Sequence, residues 1–462
     1  MKNYDVAILG AGPGGYVAAI KAAQKGLKTA IIEKEEIGGV CLNWGCIPTK
    51  SLLKSAKIYT QFMHAKDYGI DVKEKSDITP NWKAIIKRKD RIVRRLTGGV
   101  KMLLKKNKVD IFNGEGNLLN ENEIEIGEEK IKAKNIILST GASPILPPID
   151  DLKKAYENKF LMTSKELLDI NDIPKELVII GGGVIGLEFA TIFNAFDTKV
   201  TIIEREDKIL LNVDDDIRDN MLKIIKKAKI EVLTDSTVTK IGKDSVTYKN
   251  SSDEEKTVKA EKVLLSVGMK ANTKGYEKLE LETEKNFVKI NEHMQTSIPN
   301  IYAIGDMNGK MMLAHVASHQ GIIALNHILG EKETMNYKQI PSAIYSFPEI
   351  AQIGYTEAEA KSENLDYKTS TFPLQANGKA LSAGETDGFI KIIASKKYNE
   401  ILGVHILAAN ASDIISEAVI TMKLEGTADE IAKSVHPHPT ISEIFNEAAW
   451  GIVDKPIHIE QK

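Results

Sequence analysis

The sequence predicts an α/β fold, because one unit made of a strand, a glycine-rich turn, a helix and a second strand occurs twice. The first copy spans residues 4–33 and the second spans residues 177–204. In each copy the first glycine of the turn precedes a glutamate at the end of the second strand by 23 residues. The residues that define the two copies are Gly10, Gly12, Gly15 and Glu33, and then Gly181, Gly183, Gly186 and Glu204.

This arrangement is typical of a Rossmann-like fold that binds a dinucleotide. Three positions require glycine, because the turn is tight, the backbone approaches the pyrophosphate, and the helix packs closely on the strand. The pyrophosphate then lies at a helix N-terminus, where free N–H groups and the helix dipole favour anions. The terminal glutamate accepts hydrogen bonds from ribose hydroxyls. A single motif also occurs in plain strand-turn-helix units, but two motifs with matched acids predict two bound dinucleotides.

The composition is that of an ordinary enzyme-sized protein with no affinity for nucleic acid. The 462 residues carry a formal net charge of -2, and 42% of them are hydrophobic. The N-terminus enters the first strand directly, without an export signal, so we expect a cytoplasmic protein. The apolar stretch 178–196 has Glu188 at its middle and a glycine turn near its start. It therefore predicts a strand, a turn and a buried helix, and no membrane span.

Cys41 and Cys46 are the only cysteines, and both lie in the segment GGVCLNWGCIPTK at 38–50. Two cysteines are too few for the disulphide framework of a secreted protein or for a structural zinc site. Their proximity indicates a redox pair; the alternative is two inert buried thiols. Cys41 follows Glu33 by eight residues. We therefore expect the first fold to hold a flavin beside the pair and the second fold to hold a nicotinamide.

With these motifs the sequence resembles the pyridine nucleotide-disulphide oxidoreductase family, and within it the dihydrolipoamide dehydrogenases most closely. The resemblance extends over nearly the whole chain. Its segments are GAGPGG at 10–15, GGVCLNWGCIPTK at 38–50, STGASP at 139–144, GGGVIGLEFA at 181–190, YAIGD at 302–306, SFPEIAQIG at 346–354, GVHILAANASDII at 403–415 and HPHPTISE at 436–443.

The resemblance implies four regions and completes the predicted fold class. These are an FAD-binding domain at 1–148, an NAD-binding domain at 149–270, a central segment at 271–340 that completes the FAD domain, and an interface domain at 341–462. The expected architecture is thus α/β, with two Rossmann-like dinucleotide-binding domains and a C-terminal α+β dimerisation domain.

The resemblance also implies a reaction, the oxidation of protein-bound dihydrolipoamide to lipoamide with FAD and NAD as cofactors. A substrate thiolate would attack Cys41 and release Cys46 as a thiolate facing the flavin. His438 would be the base, oriented by Glu443, because a thiol must lose its proton before it attacks. Without the resemblance, HPHP is equally typical of an ordinary turn, and His436 would be structural. The resemblance further implies a homodimer in which each subunit supplies its base to the partner's cysteine pair.

Other side chains resemble the family's cofactor contacts. Lys50 resembles the lysine beside the reactive nitrogen of the flavin, and Glu188 resembles its ion-pair partner, since an unpaired buried glutamate would be costly. Asp306 resembles the carboxylate that fixes the ribityl chain; its alternative role is that of a turn residue at a strand end. The implied cofactor contacts are Gly10, Gly12, Gly14, Gly15, Glu33, Lys50, Gly116, Thr140, Gly141, Gly181, Gly183, Gly186, Glu188, Glu204, Gly268, Asp306 and Ala314.

Several alternative functions are disfavoured because this sequence lacks the residues that are typical of them. Mercuric reductases carry an extra C-terminal cysteine pair and high-molecular-weight thioredoxin reductases a C-terminal thiol or selenol, and neither is present. Glutathione reductases favour NADP, which Glu204 disfavours, although Arg205 leaves that alternative open. A noncatalytic scaffolding subunit is an alternative of another class, against which intact Cys41, Cys46 and His438 argue. The expected partner is a lipoyl-bearing protein of a 2-oxo acid dehydrogenase or glycine cleavage complex.

Three features depart from the family pattern or lie outside it. Trp44, between the cysteines, is bulkier than the residue in many relatives. Met269 and Ala271 stand where relatives usually have arginine and proline. The basic stretch at 81–109 predicts a helix with a solvated charged face, because it lacks the interleaved aromatic residues of a nucleic-acid site.

Overall fold

The computed structural model describes residues 1–72, 74 and 77–460, so parts of the predicted regions 1–148 and 341–462 lie outside the described residues. The chain begins with β1 (Lys2–Leu9), α1 (Pro13–Gln24), β2 (Thr29–Glu33), α2 (Gly39–Trp44), α3 (Cys46–Met63), α4 (Trp82–Lys106), β3 (Asp110–Asn113), β4 (Gly116–Leu118), β5 (Glu123–Ile126), β6 (Glu129–Leu138) and β7 (Ala142–Pro144). It continues with α5 (Leu152–Glu157), β8 (Leu161–Met162), α6 (Ser164–Leu167), β9 (Glu176–Ile180), α7 (Val184–Ala195), β10 (Lys199–Ile203), α8 (Asp215–Lys227), β11 (Glu231–Leu233), β12 (Thr237–Ile241), β13 (Ser245–Lys249), β14 (Glu255–Lys259), β15 (Lys262–Leu265) and β16 (Met269–Ala271).

The remaining elements complete the first sheet and form a C-terminal domain. They are β17 (Thr283–Glu284), β18 (Phe287–Val288), β19 (Ile301–Ala303), α9 (Ala314–Ile328), β20 (Ser342–Ile344), β21 (Glu349–Gly354), α10 (Glu357–Ser362), β22 (Tyr367–Pro373), α11 (Gly378–Ala383), β23 (Phe389–Ser395), β24 (Ile401–Ala408), α12 (Ala411–Ile414), α13 (Ser416–Lys423), α14 (Ala428–Lys433) and α15 (Glu443–Val453).

The first large sheet has the strand order β3-β2-β1-β6-β5-β4, and β19 pairs with β6. Strands β1, β2, β3, β6 and β19 are parallel, and their apolar residues are buried on both faces, as expected for a sheet covered by helices. Helices α1 and α9 approach closely, because Gly14 and Gly321 bring their backbones together. The chain therefore returns to this sheet after the second domain.

The second large sheet is parallel, with the order β11-β10-β9-β15-β8. A short antiparallel pair of β7 and β16 connects it to the first domain. The departures Met269 and Ala271 lie in this pair, opposite Pro144 and Ala142. The stretch 178–196 forms β9, the turn and α7, so the prediction of a strand, a turn and a buried helix is confirmed.

The C-terminal domain is an antiparallel sheet in the order β20-β21-β24-β23-β22, covered by α12 to α15. One apolar cluster joins all three domains and includes Leu52 of α3, Phe193 of α7 and Ile350 of β21. Because α3 carries the redox motif at its start, this cluster fixes the motif where the three domains meet.

The basic stretch is helix α4, with many of its lysines and arginines exposed, which confirms the predicted helix with a charged face. Among the described residues, no helix has both the length and the apolar character needed to cross a bilayer. The domain boundaries given above remain predictions.

Candidate active site

The two glycine turns have nearly the same geometry. Gly10 and Gly181 have φ values of 94° and 105°, a region in which a side chain would be strained. A Cβ on Gly10 would also lie 2.2 Å from the carbonyl oxygen of Ser139. The carboxylate of Glu33 accepts a hydrogen bond of 2.7 Å from the Ala11 N–H.

In the second domain the corresponding contact is between Glu204 and the turn. Its Oε2 accepts a hydrogen bond of 2.6 Å from the Gly182 N–H. The neighbouring Arg205 donates to Oε1 of Glu206 at 2.7 Å, so its guanidinium already has an acidic partner. Each acid thus lies against the glycine turn of its own fold.

The middle glycines of the turns fit a pyrophosphate. Gly12 and Gly183 are the N-caps of α1 and α7, and neither helix start has a side-chain cap. A Cβ on Gly183 would meet no atom within 4 Å, and one on Gly12 would only reach the Cα of Gly39 at 4.0 Å. Protein packing therefore does not explain glycine here, whereas close approach of a phosphate to free N–H groups does.

The other glycines of the turns are required by packing. A Cβ on Gly15 or Gly186 would lie 1.9 Å or 2.2 Å from the carbonyl oxygen of the first glycine of its own turn. A Cβ on Gly14 would lie 3.0 Å from the carbonyl oxygen of Ala317 in α9. These residues set the helix on the strand and on its neighbour.

The cysteines lie on two short consecutive helical segments, with Cys41 in α2 and Cys46 as the first residue of α3. Both are free thiols. A hydrogen bond from the Cys41 thiol lowers the pKa of Cys46 to about 7; burial opposes this effect, and the charge of Lys50 adds to it. The same hydrogen bond, together with burial, raises the pKa of Cys41. The thiolate of the reduced pair is therefore on Cys46, at a helix N-terminus.

Lys50, one turn after Cys46, brings the three domains together. Its Nζ lies 2.9 Å from both carboxylate oxygens of Glu188 on α7. The Tyr345 N–H of the C-terminal domain donates to Oε1 of Glu188 at 3.1 Å, and the Lys50 ammonium lies 4.4 Å from the centre of the Tyr345 ring. The structure thus gives the buried glutamate a partner and places the ion pair beside the thiolate.

Trp44 also connects the redox motif to the second domain. Lys165 of α6 lies with its Nζ 3.9 Å from the centre of the Trp44 rings. The same ammonium lies 3.1 Å from Oε2 of Glu35. The bulky residue between the cysteines is therefore part of a contact between the first and second domains.

Asp306 lies in a 3₁₀ turn, Gly305–Asn308, directly after β19. Burial raises the pKa of its carboxyl group. The negative charge of Asp306 contributes to the raised pKa of Cys41. The turn is fixed by Gln320 of α9, whose Oε1 accepts 2.7 Å and 3.0 Å hydrogen bonds from the Gly305 N–H and the Asn308 side chain. Among the described residues this buried carboxyl group has no side-chain hydrogen bond or ion pair, and such a group fits the hydroxyls of a ribityl chain.

The remaining predicted cofactor contacts lie in turns or at the starts of elements. The hydroxyl of Thr140 donates to the carbonyl of Asn272 at 2.8 Å, which holds the 139–144 segment against the start of the central segment. Gly141 has a φ of 69° and open space around a Cβ, and Gly268 has a φ of 119°. Gly116 begins β4, and Ala314 begins α9.

His438 and Glu443 form a pair in the C-terminal domain. Nδ1 of His438 lies 2.7 Å from Oε1 of Glu443, whose other oxygen accepts a 2.8 Å hydrogen bond from the Thr440 N–H. Burial would raise the pKa of Glu443, but the bonds from Thr440 and His438 outweigh it and lower the pKa. The His438 side chain is 78% exposed, which leaves Nε2 accessible to a substrate. His436 instead pairs with Glu417 and is largely buried.

Within one chain the base and the cysteines do not meet. None of the hydrogen bonds and ion pairs of the described residues joins His438 to Cys41 or Cys46. Glu443 starts α15, which packs on α14, β22 and β23 in its own domain, whereas α3 packs on α4 and α7. The predicted base and the cysteine pair therefore lie beside or within helices that pack in different domains of the chain.

Comparison with known proteins agrees with this arrangement. Residues 4–321 match the family described as pyridine nucleotide-disulphide oxidoreductase, and residues 340–449 match the dimerisation domain of the same family. The chain belongs to the pyridine nucleotide-disulphide oxidoreductases. This membership confirms the predicted fold class. It also confirms the predictions that the protein is a flavoprotein oxidoreductase that uses a pyridine nucleotide and that it forms a homodimer through its C-terminal domain.

Several relatives of this oxidoreductase cover its full length. A dihydrolipoyl dehydrogenase of Bacillus subtilis is 41% identical, over 99% of each chain. A dihydrolipoyl dehydrogenase of Mycoplasma pneumoniae is 40% identical, over 96% of this chain and 97% of its own. A HOCl-induced flavoprotein disulfide reductase from Escherichia coli superimposes with a TM-score of 0.85 at 25% identity, over 96% of this chain and 99% of its own. The resemblance drawn from the sequence is thereby confirmed.

Sequence reasoning missed two residues of the oxidoreductase site. Tyr345 contacts both members of the Lys50–Glu188 pair, and no pattern in the sequence distinguishes it from other aromatic residues. Gln320 fixes the turn that carries Asp306. No pattern in the sequence distinguishes it, because α9 carries histidines, a serine and an asparagine besides this glutamine.

Proposed function

We propose that this protein is a dihydrolipoyl dehydrogenase, which oxidises protein-bound dihydrolipoamide to lipoamide with NAD as the acceptor. The observation that carries the proposal is the Cys41–Cys46 pair beside the Lys50–Glu188 ion pair. It occurs in a chain whose full-length relatives are dihydrolipoyl dehydrogenases. A lipoyl-bearing protein of a 2-oxo acid dehydrogenase or glycine cleavage complex would supply the substrate, in the cytoplasm.

The two glycine-turn folds fit the two cofactors of this reaction. The first would hold FAD through Gly12, Glu33 and Asp306, and the second would hold NAD through Gly183 and Glu204. When bound, these two cofactors would supply the means to remove two electrons from the cysteine pair and to release them as hydride. Lys50 keeps a positive charge beside the Cys46 thiolate and stabilises it, while Glu188 and Tyr345 hold that lysine in place.

The cysteines and His438 carry out the thiol chemistry. A substrate thiolate attacks Sγ of Cys41 in the oxidised pair, the S–S bond of the protein breaks, and Cys46 leaves as a thiolate. The second substrate thiolate then displaces Cys41, so that the lipoyl disulphide forms as the protein disulphide is lost. The two protons of the substrate end on Nε2 of His438 and on Cys41, in agreement with the raised pKa of Cys41.

In this proposal each active site is shared between two subunits. Support comes from the separation of His438 from the cysteines within one chain and from the family's dimerisation domain. A twofold dimer provides two such sites. We expect mixed dimers of Cys46→Ser and His438→Ala subunits to have up to half of wild-type activity, because one site then holds both changes and the other is intact. Confirmed mixed dimers that stay inactive would contradict the shared site.

The activity itself is tested by a choice of substrates. We expect rapid reduction of NAD by free dihydrolipoamide and negligible oxidation of NADPH by glutathione disulphide. Efficient use of the glutathione pair would identify a different disulphide reductase.

A further inference from the structure

Lys391 on β23 carries an ammonium group that is buried among three carboxylates. Its Nζ lies 3.0 Å from Oδ1 of Asp214, 2.6 Å from Oδ2 of Asp216 and 2.6 Å from Oε2 of Glu357. The side chains of Lys391 and Asp214 are only 2% and 1% exposed. Burial would lower the pKa of Lys391, but its hydrogen bonds to Asp216 and Glu357 and the charge of Asp214 outweigh it and raise the pKa.

This cluster crosses a domain boundary. Lys391 and Glu357 belong to the C-terminal domain, whereas Asp214 and Asp216 belong to the start of α8 in the nucleotide domain. Buried ion pairs add little net stability compared with apolar residues of similar volume, because the desolvation of the charges is costly. Their directional bonds do, however, fix relative position. A lysine with three acids at this boundary therefore indicates that the two domains must be held in a defined relative position.

Asp214 is held from both sides. Its Oδ1 caps α8 by accepting a hydrogen bond from the Asp216 N–H, and its Oδ2 accepts a 3.0 Å bond from the Glu357 N–H. A second bond from the C-terminal domain lies nearby, since the Gln352 side chain donates to the carbonyl of Asn212 at 2.6 Å. The end of the 205–214 segment is thus attached to the C-terminal domain at two places.

The same segment contacts the nucleotide turn. The Leu210 N–H donates to the carbonyl of Gly182 at 3.0 Å. A Cβ on Gly182 would lie 2.3 Å from Cγ2 of Ile209, so the segment and the turn touch closely. The segment also starts directly after Glu204, whose carboxylate binds the Gly182 N–H. A continuous set of contacts therefore runs from Lys391 to the turn at 181–183.

We propose that Lys391 is a positioning residue of the NAD site, which holds the 205–214 segment through Asp214 and thereby sets the place of the 181–183 turn. The inference rests on the proposed function. Hydride transfer requires the nicotinamide at a defined distance from the flavin, and a misplacement of about 1 Å costs up to about 10²-fold in rate. The thiol half of the reaction uses the cysteine pair of the first domain and the His438–Glu443 pair of the C-terminal domain, and not the turn at 181–183.

The test compares Lys391→Met with the double variant Lys391→Met/Asp214→Asn and with the control Lys396→Met. Lys396 is an exposed lysine just after the same strand, and it pairs with Asp366 at the surface. The double variant removes the unpaired buried acid but keeps a good helix cap, so it recovers thermal stability if the single variant loses it. It therefore separates folding from positioning.

We expect both Lys391 variants to lower kcat/KM for NAD at least about tenfold. Reduction of the bound flavin by dihydrolipoamide should change less than about twofold, and the control should resemble wild type. Hydrogen exchange supplies a readout apart from activity: amides of the 205–214 segment should exchange faster in the holoenzyme variants, while those of the turn at 10–15 should not.

Two results would overturn the proposal. One is a folded double variant whose kcat/KM for NAD stays within about twofold of wild type; the other is unchanged exchange of the 205–214 segment. Failure of the proposed function gives a different pattern, namely a wild-type protein that does not reduce NAD with dihydrolipoamide. In that case the exchange measurement still decides the role of Lys391, because it needs no substrate.

Discussion

The two glycine-turn folds of this protein agree up to the terminal acid and differ in the segment that follows it. In both folds a glutamate carboxylate accepts a hydrogen bond from the turn, at 2.7 Å from Ala11 in the first and 2.6 Å from Gly182 in the second. After Glu33 the chain forms the two helical segments with the cysteines. After Glu204 it forms the 205–214 segment, which is attached to the C-terminal domain.

The two folds therefore share the unit that is typical of nucleotide binding, and they differ in the chemical groups of the segment that follows it. In the first fold the following segment carries the two cysteines. In the second it carries Asp214, which binds Glu357 and Lys391 of the C-terminal domain. Matched substitutions in the two folds can therefore separate binding from chemistry.

The largest effect is expected for Cys46→Ser. Turnover with dihydrolipoamide should fall more than about 10⁴-fold, the scale on which a reacting nucleophile is lost. FAD should stay bound, because its turn, Glu33 and Asp306 are untouched. The long-wavelength absorbance of the Cys46 thiolate against bound FAD, measured after two-electron reduction, should vanish. A band of full strength would show that another residue is the donor.

Alanine at the middle glycines should separate the two cofactors. Gly183→Ala meets no protein atom within 4 Å, so the protein should fold normally, but the methyl group fills the space for the pyrophosphate. We expect NAD to bind roughly 5- to 150-fold more weakly, equivalent to about 1–3 kcal/mol of steric cost. Gly12→Ala should instead weaken FAD, as measured by flavin release on dilution. Gly186→Ala is the control, because its methyl group would clash with the protein backbone and should lower the thermal stability of the protein.

A smaller effect concerns the choice of nicotinamide nucleotide. Glu204 should accept the ribose hydroxyls of NAD and repel the 2′-phosphate of NADP, which gives at least roughly a tenfold preference in kcat/KM, or about 1.4 kcal/mol. Glu204→Gln should reduce that preference, whereas the matched change Glu33→Gln should leave it intact and weaken FAD. Equal kcat/KM for NAD and NADP in the wild-type protein would contradict this role of Glu204.

The smallest effect is a shift in pH dependence. Because the pKa of Cys46 is lowered to about 7, the thiolate absorbance of the two-electron-reduced protein should grow as pH rises through that value. Lys50→Met removes a charge that favours the thiolate, so the midpoint should move to higher pH. Lys54→Met, a change at an exposed lysine on the same helix, should leave it unchanged. An unmoved midpoint in Lys50→Met would show that the cysteine hydrogen bond acts alone.

Local sequence patterns determined the parts of the protein that depend on neighbouring residues in the chain. The two turns, their terminal acids, the cysteine pair and the helix at 82–106 follow from spacing and periodicity, because glycine, apolar and charged residues have local conformational preferences. The sequence also indicates that Glu188 needs a partner, because burying an unpaired charge in an apolar helix is costly. Its partner Lys50 was named only through the family resemblance.

Contacts between residues that are distant in the chain follow from the packing of the domains. Tyr345 lies on the Lys50–Glu188 pair, Lys165 lies on Trp44, and Lys391 binds Asp214, although each contact joins different domains. The sequence alone carries no such signal, because one polar side chain can pair with many others, and packing of the domains selects among them. The sequence therefore determined the nucleotide-binding units and the redox motif, whereas domain packing determined how they are held relative to one another.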